Sequence, residues 1–213
     1  MRRVTASAIM KIALNAADQA TIDSDEHNLS VQELGLLNEQ WIHSYVGYAI
    51  SRNLQAAYGA DHHRPFVTYE TSVSWLEYFI DQNRPRARIR GKLSDRRRFD
   101  LAVWSQDRNV IGLIEIKYQP IMSTFSRTSD PQKLLDAMRR WNSLRWGMFL
   151  YCTRNNSGRN GEELLQHLKD SSQRTFNVIK KALSGRARLS YKASSGPVGQ
   201  QVLWAAVLIR RPN

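Results

Sequence analysis

At 213 residues the chain is long enough for one domain with a sizeable core. Its 42% hydrophobic content and six Trp exclude a disordered chain, no apolar run approaches the ~18 to 20 residues of a membrane span, and the single cysteine, Cys152, excludes an intrachain disulfide and favours a reducing, cytoplasmic setting. The balance of 31 Lys and Arg against 19 Asp and Glu leaves a net charge of +12, which favours a polyanionic partner and no membrane.

Residues 1–3 are followed by small apolar residues in the manner of a secretory signal, but Lys11 interrupts the run and leaves no apolar centre. Residues 4–20, rich in Ala with Ile9, Ile12 and Leu14, read as a helix packed on the core from outside, and 21–28 as an acidic connector. Ser30 and Glu33 form a capping box ahead of a long helix. There Leu34, Leu37, Trp41, Tyr45 and Ala49 recur at helical spacing as one core face. Glu39, Ile42, Val46 and Ile50 form a second stripe, which turns the Glu39 carboxylate inward or leaves it at the solvent edge. His62 and His63 are adjacent and have no further His or Cys at ligand spacing, so they do not make a zinc site.

Residues 66–73 read as a strand, on which Glu70 either approaches the acids described below or, more simply, pairs with a nearby Arg. Residues 74–81 fit a strand or a short helix. Then comes a basic run: Arg84, Arg86, Arg88, Arg90, Lys92, Arg96, Arg97 and Arg98 stand against Asp95 alone. Arg is the better bidentate ligand for phosphate, so this segment is the candidate grip on a nucleic-acid backbone, the plain alternative being a solvated charged loop.

Residues 99–104 and 110–118 are apolar, β-rich runs joined by the polar turn 105–109, a β-hairpin. Folding it about Asp107 brings Asp100 and Glu115 into direct or diagonal register, with Cβ atoms about 5 to 8 Å apart. Period two along the second strand places Ile111, Leu113, Glu115, Lys117 and Gln119 on one face. Two carboxylates that close on a half-buried sheet repel each other unless a proton or cation intervenes, and an oxygen-only pair suits Mg²⁺ or Mn²⁺.

Beyond the hairpin, 123–131 reads as a loop and 132–141 as a helix with Leu134, Leu135 and Met138 inward. Residues 146–153, WGMFLYCT, read as a strand buried on both faces. After the loop 155–161, residues 162–183 form an amphipathic helix with Leu165, Leu168, Ser172, Phe176, Ile179 and Leu183 on its core stripe. Strands at 186–192 and 201–210 flank a Ser-Ser-Gly-Pro turn. The whole is one domain: an extension (1–28), a core (29–154) and a C-terminal helix with strands (155–213).

An acid-x-Lys triplet alone arises by chance in a chain with 19 acids, and its weight here comes from context. Asp100, a gap of fourteen residues, and then Glu115-Ile116-Lys117 resembles the PD-(D/E)XK nuclease superfamily, over about residues 32–151, with Phe99 where the family's name places Pro. The resemblance implies an α/β, restriction-endonuclease-like fold: a central mixed β-sheet flanked by helices in the order αβββαβ. It implies Mg²⁺ (or Mn²⁺) on Asp100, Glu115 and the Ile116 carbonyl, Lys117 beside the scissile phosphate, and Gln119 holding a water or a phosphate. Glu39 is the candidate for the glutamate that the family's first helix turns toward the metal. The implied activity is metal-dependent hydrolysis of DNA, rather than RNA, phosphodiester bonds, in a family that often works as homodimers. The alternative is a nucleic-acid-binding module that keeps the fold without catalysis.

Overall fold

The run that starts at Trp146 has no polar alternation, so a strand built from it needs cover on both faces. In the computed structural model it has that cover. The structure describes residues 4–26, 35–59, 64–81, 98–118, 124–154, 161–194 and 202–212. Among them the run is β4 (Trp146–Arg154), central in a six-stranded sheet ordered β1 (Phe66–Ser72), β2 (Arg98–Trp104), β3 (Val110–Lys117), β4, β6 (Val202–Arg210), β5 (Arg188–Ala193). β3 and β4 run parallel, joined across the sheet by α4 (Thr124–Arg140), and the other neighbours are antiparallel.

Helices close both faces. α1 (Ala6–Glu26) and α2 (Gly35–Tyr58) lay Ile9, Ala13, Leu14, Ile42, Val46 and Ile50 on Leu101, Ile114, Ile116, Leu150 and Trp204. α3 (Val73–Asp81), α4 and α5 (Gly161–Ala182) cover the other face, with Leu76, Leu134, Met138 and Ile179 against Phe99, Leu113, Phe149 and Val207. The molecule is thus a mixed α/β protein with its mixed sheet between helical layers. The expected order of helix, three strands, helix and strand is present, with α3 inserted after β1. No helix among the described residues is long and apolar enough to cross a membrane.

Local departures have identifiable causes. α1 runs on to Glu26 through the expected connector, because Thr21 is buried there: its hydroxyl bonds back to the Ala17 carbonyl (2.9 Å) and accepts the Trp204 indole N–H (2.9 Å). The ambiguous stretch after β1 is helical, and the Ser72 hydroxyl accepts the Trp75 N–H as an N-cap (3.2 Å). α4 starts eight residues before the expected boundary and carries Pro131 inside it, so its polar first turns had read as a loop. On α5 the expected Leu168, Ser172 and Ile179 are buried, as is Leu183 just beyond it, while Leu164 and Thr175 are buried where Leu165 and Phe176 were expected. The capping box at Ser30, His62, His63 and residues 82–97 lie outside the described residues.

The β2–β3 register shifts between Val103 and Trp104, where Val103 faces Gly112 and Trp104 faces Val110. This bulge puts Ile111 against the α1/α2 side while Leu113 faces α4, which corrects the expectation that both share a face with Glu115. Gly112 is needed beside it: the Trp146 indole lies where a Cβ would stand.

Candidate metal centre

Register places the acids. Leu101 pairs with Ile114 on β3, so the next row sets Asp100 opposite Glu115. Tyr69 pairs with Leu101 and Thr71 with Phe99, so Glu70 of β1 stands opposite Asp100 on its other side. Three carboxylates therefore occupy one row across three adjacent strands. The ladder is interrupted there. Asp100 Oδ2 accepts the Ile116 N–H (2.6 Å), a side chain filling the place of a main-chain acceptor. Glu70 has φ of +47°, a left-handed conformation uncommon for a residue with a side chain.

His43 of α2 reaches this row from the α1/α2 side. Its Nε2 is 3.7 Å from Asp100 Oδ2 and its Nδ1 3.8 Å from Glu70 Oε1. Both separations are longer than a hydrogen bond. Nε2 is buried and has no hydrogen-bond partner among the described residues. One ligand atom from each of His43, Glu70 and Asp100 lies within 4.8 Å of the others, so these three can hold a metal ion. The donor set fits: an imidazole nitrogen and two carboxylates, with a buried nitrogen that nothing among the described residues satisfies. Glu70, 55% exposed, opens the cluster to solvent.

Glu115 is engaged from the opposite face. Lys133 of α4 donates to its Oε1 (2.6 Å) and to the Arg98 carbonyl, with the ammonium 4.7 Å from the centre of the Phe99 ring. Lys117 extends toward Asp130 of α4 (3.8 Å). Burial pushes the Asp100 carboxyl up, against the pull of His43, the Ile116 N–H, Lys117 and Lys133. Burial pushes Glu115 well above the ordinary range, and the negative charge of Asp100 adds to it, while Lys133 opposes both. Asp100 and Glu115 therefore sense each other's charge from adjacent strands, and each has a cationic or proton-donating group of its own.

Of the residues expected at the site, Asp100, Glu115, Ile116 and Lys117 lie at the ends of β2 and β3, but among the described residues the metal-holding cluster includes Asp100 and not Glu115, which turns to Lys133, while Lys117 turns to Asp130. Arg98, exposed, begins β2. Glu39 belongs to α2, one turn before His43, and its side chain lies outside the described residues, as do Gln119, Arg84, Arg86, Arg88, Arg90, Lys92, Arg96 and Arg97. For Glu70 the sequence left two readings, approach to the acids and pairing with an Arg, and the structure has the first. Its register opposite Asp100 turns it to His43.

Comparison of the chain with family models, with curated proteins and with solved structures finds no match.

His43, Lys133 and Asp130 are the site residues that the sequence reading did not single out. His43 follows Glu39 by one helical turn and precedes Val46 and Ile50 by three and seven residues, so it belongs with the second stripe, and that spacing was the available signal. Lys133 and Asp130 carry no local signal, because what they touch is distant in sequence.

Proposed function

We propose that this chain is a divalent-metal-dependent nuclease with a restriction-endonuclease-like core, hydrolysing phosphodiester bonds of DNA. The observation that carries this reading is the row Glu70, Asp100, Glu115 across three strands, faced by the unsatisfied Nε2 of His43 and followed two residues later by Lys117. Structural acids are seldom gathered in this way, because each buried carboxylate loses hydration and raises the cost of the next.

His43, Glu70 and Asp100 would hold the cation, with Glu115 and the Ile116 carbonyl as further donors. A bound divalent cation supplies Lewis-acid polarisation of a phosphoryl oxygen and lowers the pKa of water near it. The protein's own groups do the rest. Lys117 places an ammonium at the mouth of the row, where charge builds on the phosphate oxygens during in-line displacement, and Asp130 orients it. Lys133 fixes the Glu115 carboxylate from the α4 side. The imidazole moves the preference from Mg²⁺, which favours all-oxygen sites, toward Mn²⁺. The Arg-rich segment that ends at Arg98 supplies phosphate contacts, so affinity for DNA falls steeply with salt.

The test is cleavage of labelled DNA in Mn²⁺, Mg²⁺ and EDTA by the parent, Asp100→Asn and Lys117→Ala. Cleavage in Mn²⁺ that falls about 100-fold or more in both variants, with DNA affinity retained, is expected. Equal cleavage by Asp100→Asn and the parent would place the activity elsewhere. DNA binding without cleavage under any divalent ion would make the chain a binding module on this fold.

A further inference from the structure

The large hydrophobic side chains left exposed among the described residues are Tyr48, Phe66, Tyr69, Trp75 and Tyr78, and all five lie on α2, β1 and α3, at the β1 edge of the sheet. Single exposed aromatics need no explanation, but their confinement to one edge, beside the acid row, does. Tyr69 (46% exposed) and Trp75 (41%) line one cleft of about 450 Å³ together with Glu70, Thr71, Ser72 and Arg98.

Both rings are held in place. Tyr69 packs against Gly47 of α2, where a Cβ would collide with the phenol ring. Trp75 meets Trp104 edge-on (5.4 Å between centroids, 83°), and Trp104 is stacked on Phe66 (5.7 Å, 4°) and tied through its indole N–H to Thr68 Oγ1 (2.9 Å). Fixed aromatic surfaces that are half open to solvent bind a flat partner at little cost in side-chain entropy. The cleft adds hydroxyls, a guanidinium, and Glu70, which also belongs to the metal cluster. Arg98 is the last of eight cationic residues between 84 and 98 in a chain of net charge +12, so the partner that fits is a polyanion carrying flat rings.

We infer that this cleft stacks unpaired nucleobases on Tyr69 and on Trp75, and that the strand cut at the acid row is single-stranded there. In a duplex the base faces are already occupied by their neighbours, so an aromatic cleft gains contact only with bases splayed out of the helix. Glu70 lines the cleft and the metal cluster alike, which puts the stacked base within reach of the phosphate being cut. This inference rests on the nuclease reading for its second half, and its binding half is measured independently.

The experiment is equilibrium binding in EDTA, where no cleavage occurs, of fluorescently labelled single-stranded DNA, RNA of the same sequence and a blunt DNA duplex. Parent protein, Tyr69→Ala, Trp75→Ala and Trp75→Phe are compared. The parent should bind single strands more tightly than duplex. Tyr69→Ala and Trp75→Ala should each weaken single-strand binding about 5- to 100-fold while duplex binding stays within about twofold, and Trp75→Phe should retain most of it. The DNA and RNA arms identify the sugar, since stacking serves both. Should Trp75→Ala fail to fold, Tyr69→Ala and quenching of Trp fluorescence by single strands, diminished in Trp75→Phe, carry the test. Normal single-strand binding by folded Tyr69→Ala and Trp75→Ala overturns the inference, as does an equal loss for the duplex. If those variants bind normally while the parent cuts DNA in Mn²⁺, the cleft inference fails and the nuclease reading stands. If the parent stacks single strands here but never cuts, the reverse holds.

Discussion

Glu70 and Asp100 stand opposite each other across the β1–β2 ladder and do not pair, although the residues on either side of them do. The break coincides with the left-handed backbone of Glu70, and a residue with a Cβ in that conformation carries about 1 to 2 kcal/mol of strain. Glycine adopts it without cost. Glu70→Gly is therefore expected to be more stable than Glu70→Ala by about 1 kcal/mol, the reverse of the usual order in a strand. Urea unfolding of the two variants measures it. An alanine variant as stable as the glycine one would mean that the backbone relaxes there. Both variants should lose divalent-ion affinity, since the carboxylate goes with either.

Lys133 supplies the positive charge that Glu115 needs at a nearly dry position. Removing one partner of such a pair leaves the other uncompensated, so Lys133→Met should cost about 3 kcal/mol near neutral pH. The loss should shrink in acid, where Glu115 takes up a proton and no longer needs a cation. The double variant Lys133→Met with Glu115→Leu, which removes both charges, should recover most of the stability. Denaturant midpoints of the single and double variants at two pH values decide it, and an undiminished loss in acid would show that Lys133 acts through packing on Phe99 alone.

Asp18 of α1 is a second carboxylate held out of its usual state. Burial pushes it up to about 6, offset only in part by the Ser194 hydroxyl, and its Oδ1 is buried without a hydrogen-bond partner. Because the folded pKa lies above the unfolded one, the stabilising contribution is complete below the ordinary carboxylate range and is lost as pH rises through about 6. Asp18→Asn should remove this drop. With partial solvent screening allowed for, the variant should gain about 1 to 2 kcal/mol over the parent at neutral pH and nothing at low pH. Thermal melts across the range test it, and a parallel pH dependence in parent and variant would contradict it.

Local order is what the sequence made legible. The hairpin, its turn and the register that sets Asp100 beside Glu115 follow from two apolar runs and a short polar link, all within 20 residues. The continuous apolar run at 146–153 likewise marked β4 as buried on both faces. What stayed hidden depends on distance or on breaks in period. No turn connects β1 to β2, so nothing local shows that Glu70 will face Asp100. Lys133 meets Glu115 across the crossover between parallel strands, from a position beside Leu134 that helical period alone does not single out. Ile111 lies at a bulge, which a strict period of two cannot represent. His43 continues the stripe of Glu39, Val46 and Ile50, and only the folded arrangement shows that it points at two carboxylates.

Metal binding and protonation compete for that row. Burial raises Asp100 and, still more, Glu115, so the metal-free protein gains stability from their protons at low pH and loses it as pH rises through their raised values. A divalent cation takes the place of those protons and must displace them, so its affinity grows in the same direction. The rise in Tm on adding Mn²⁺ should therefore be small at about pH 5.5 and several degrees larger at about pH 8, and EDTA should abolish it. Calorimetric titration in buffers of different ionisation enthalpy should register proton release on Mn²⁺ binding. Asp100→Asn should lose both the Tm rise and the proton release, whereas Asp18→Asn, on α1 beside Ser194, should keep them. A Tm rise of equal size at both pH values, or one that survives in Asp100→Asn, would mean that the cation binds away from the row.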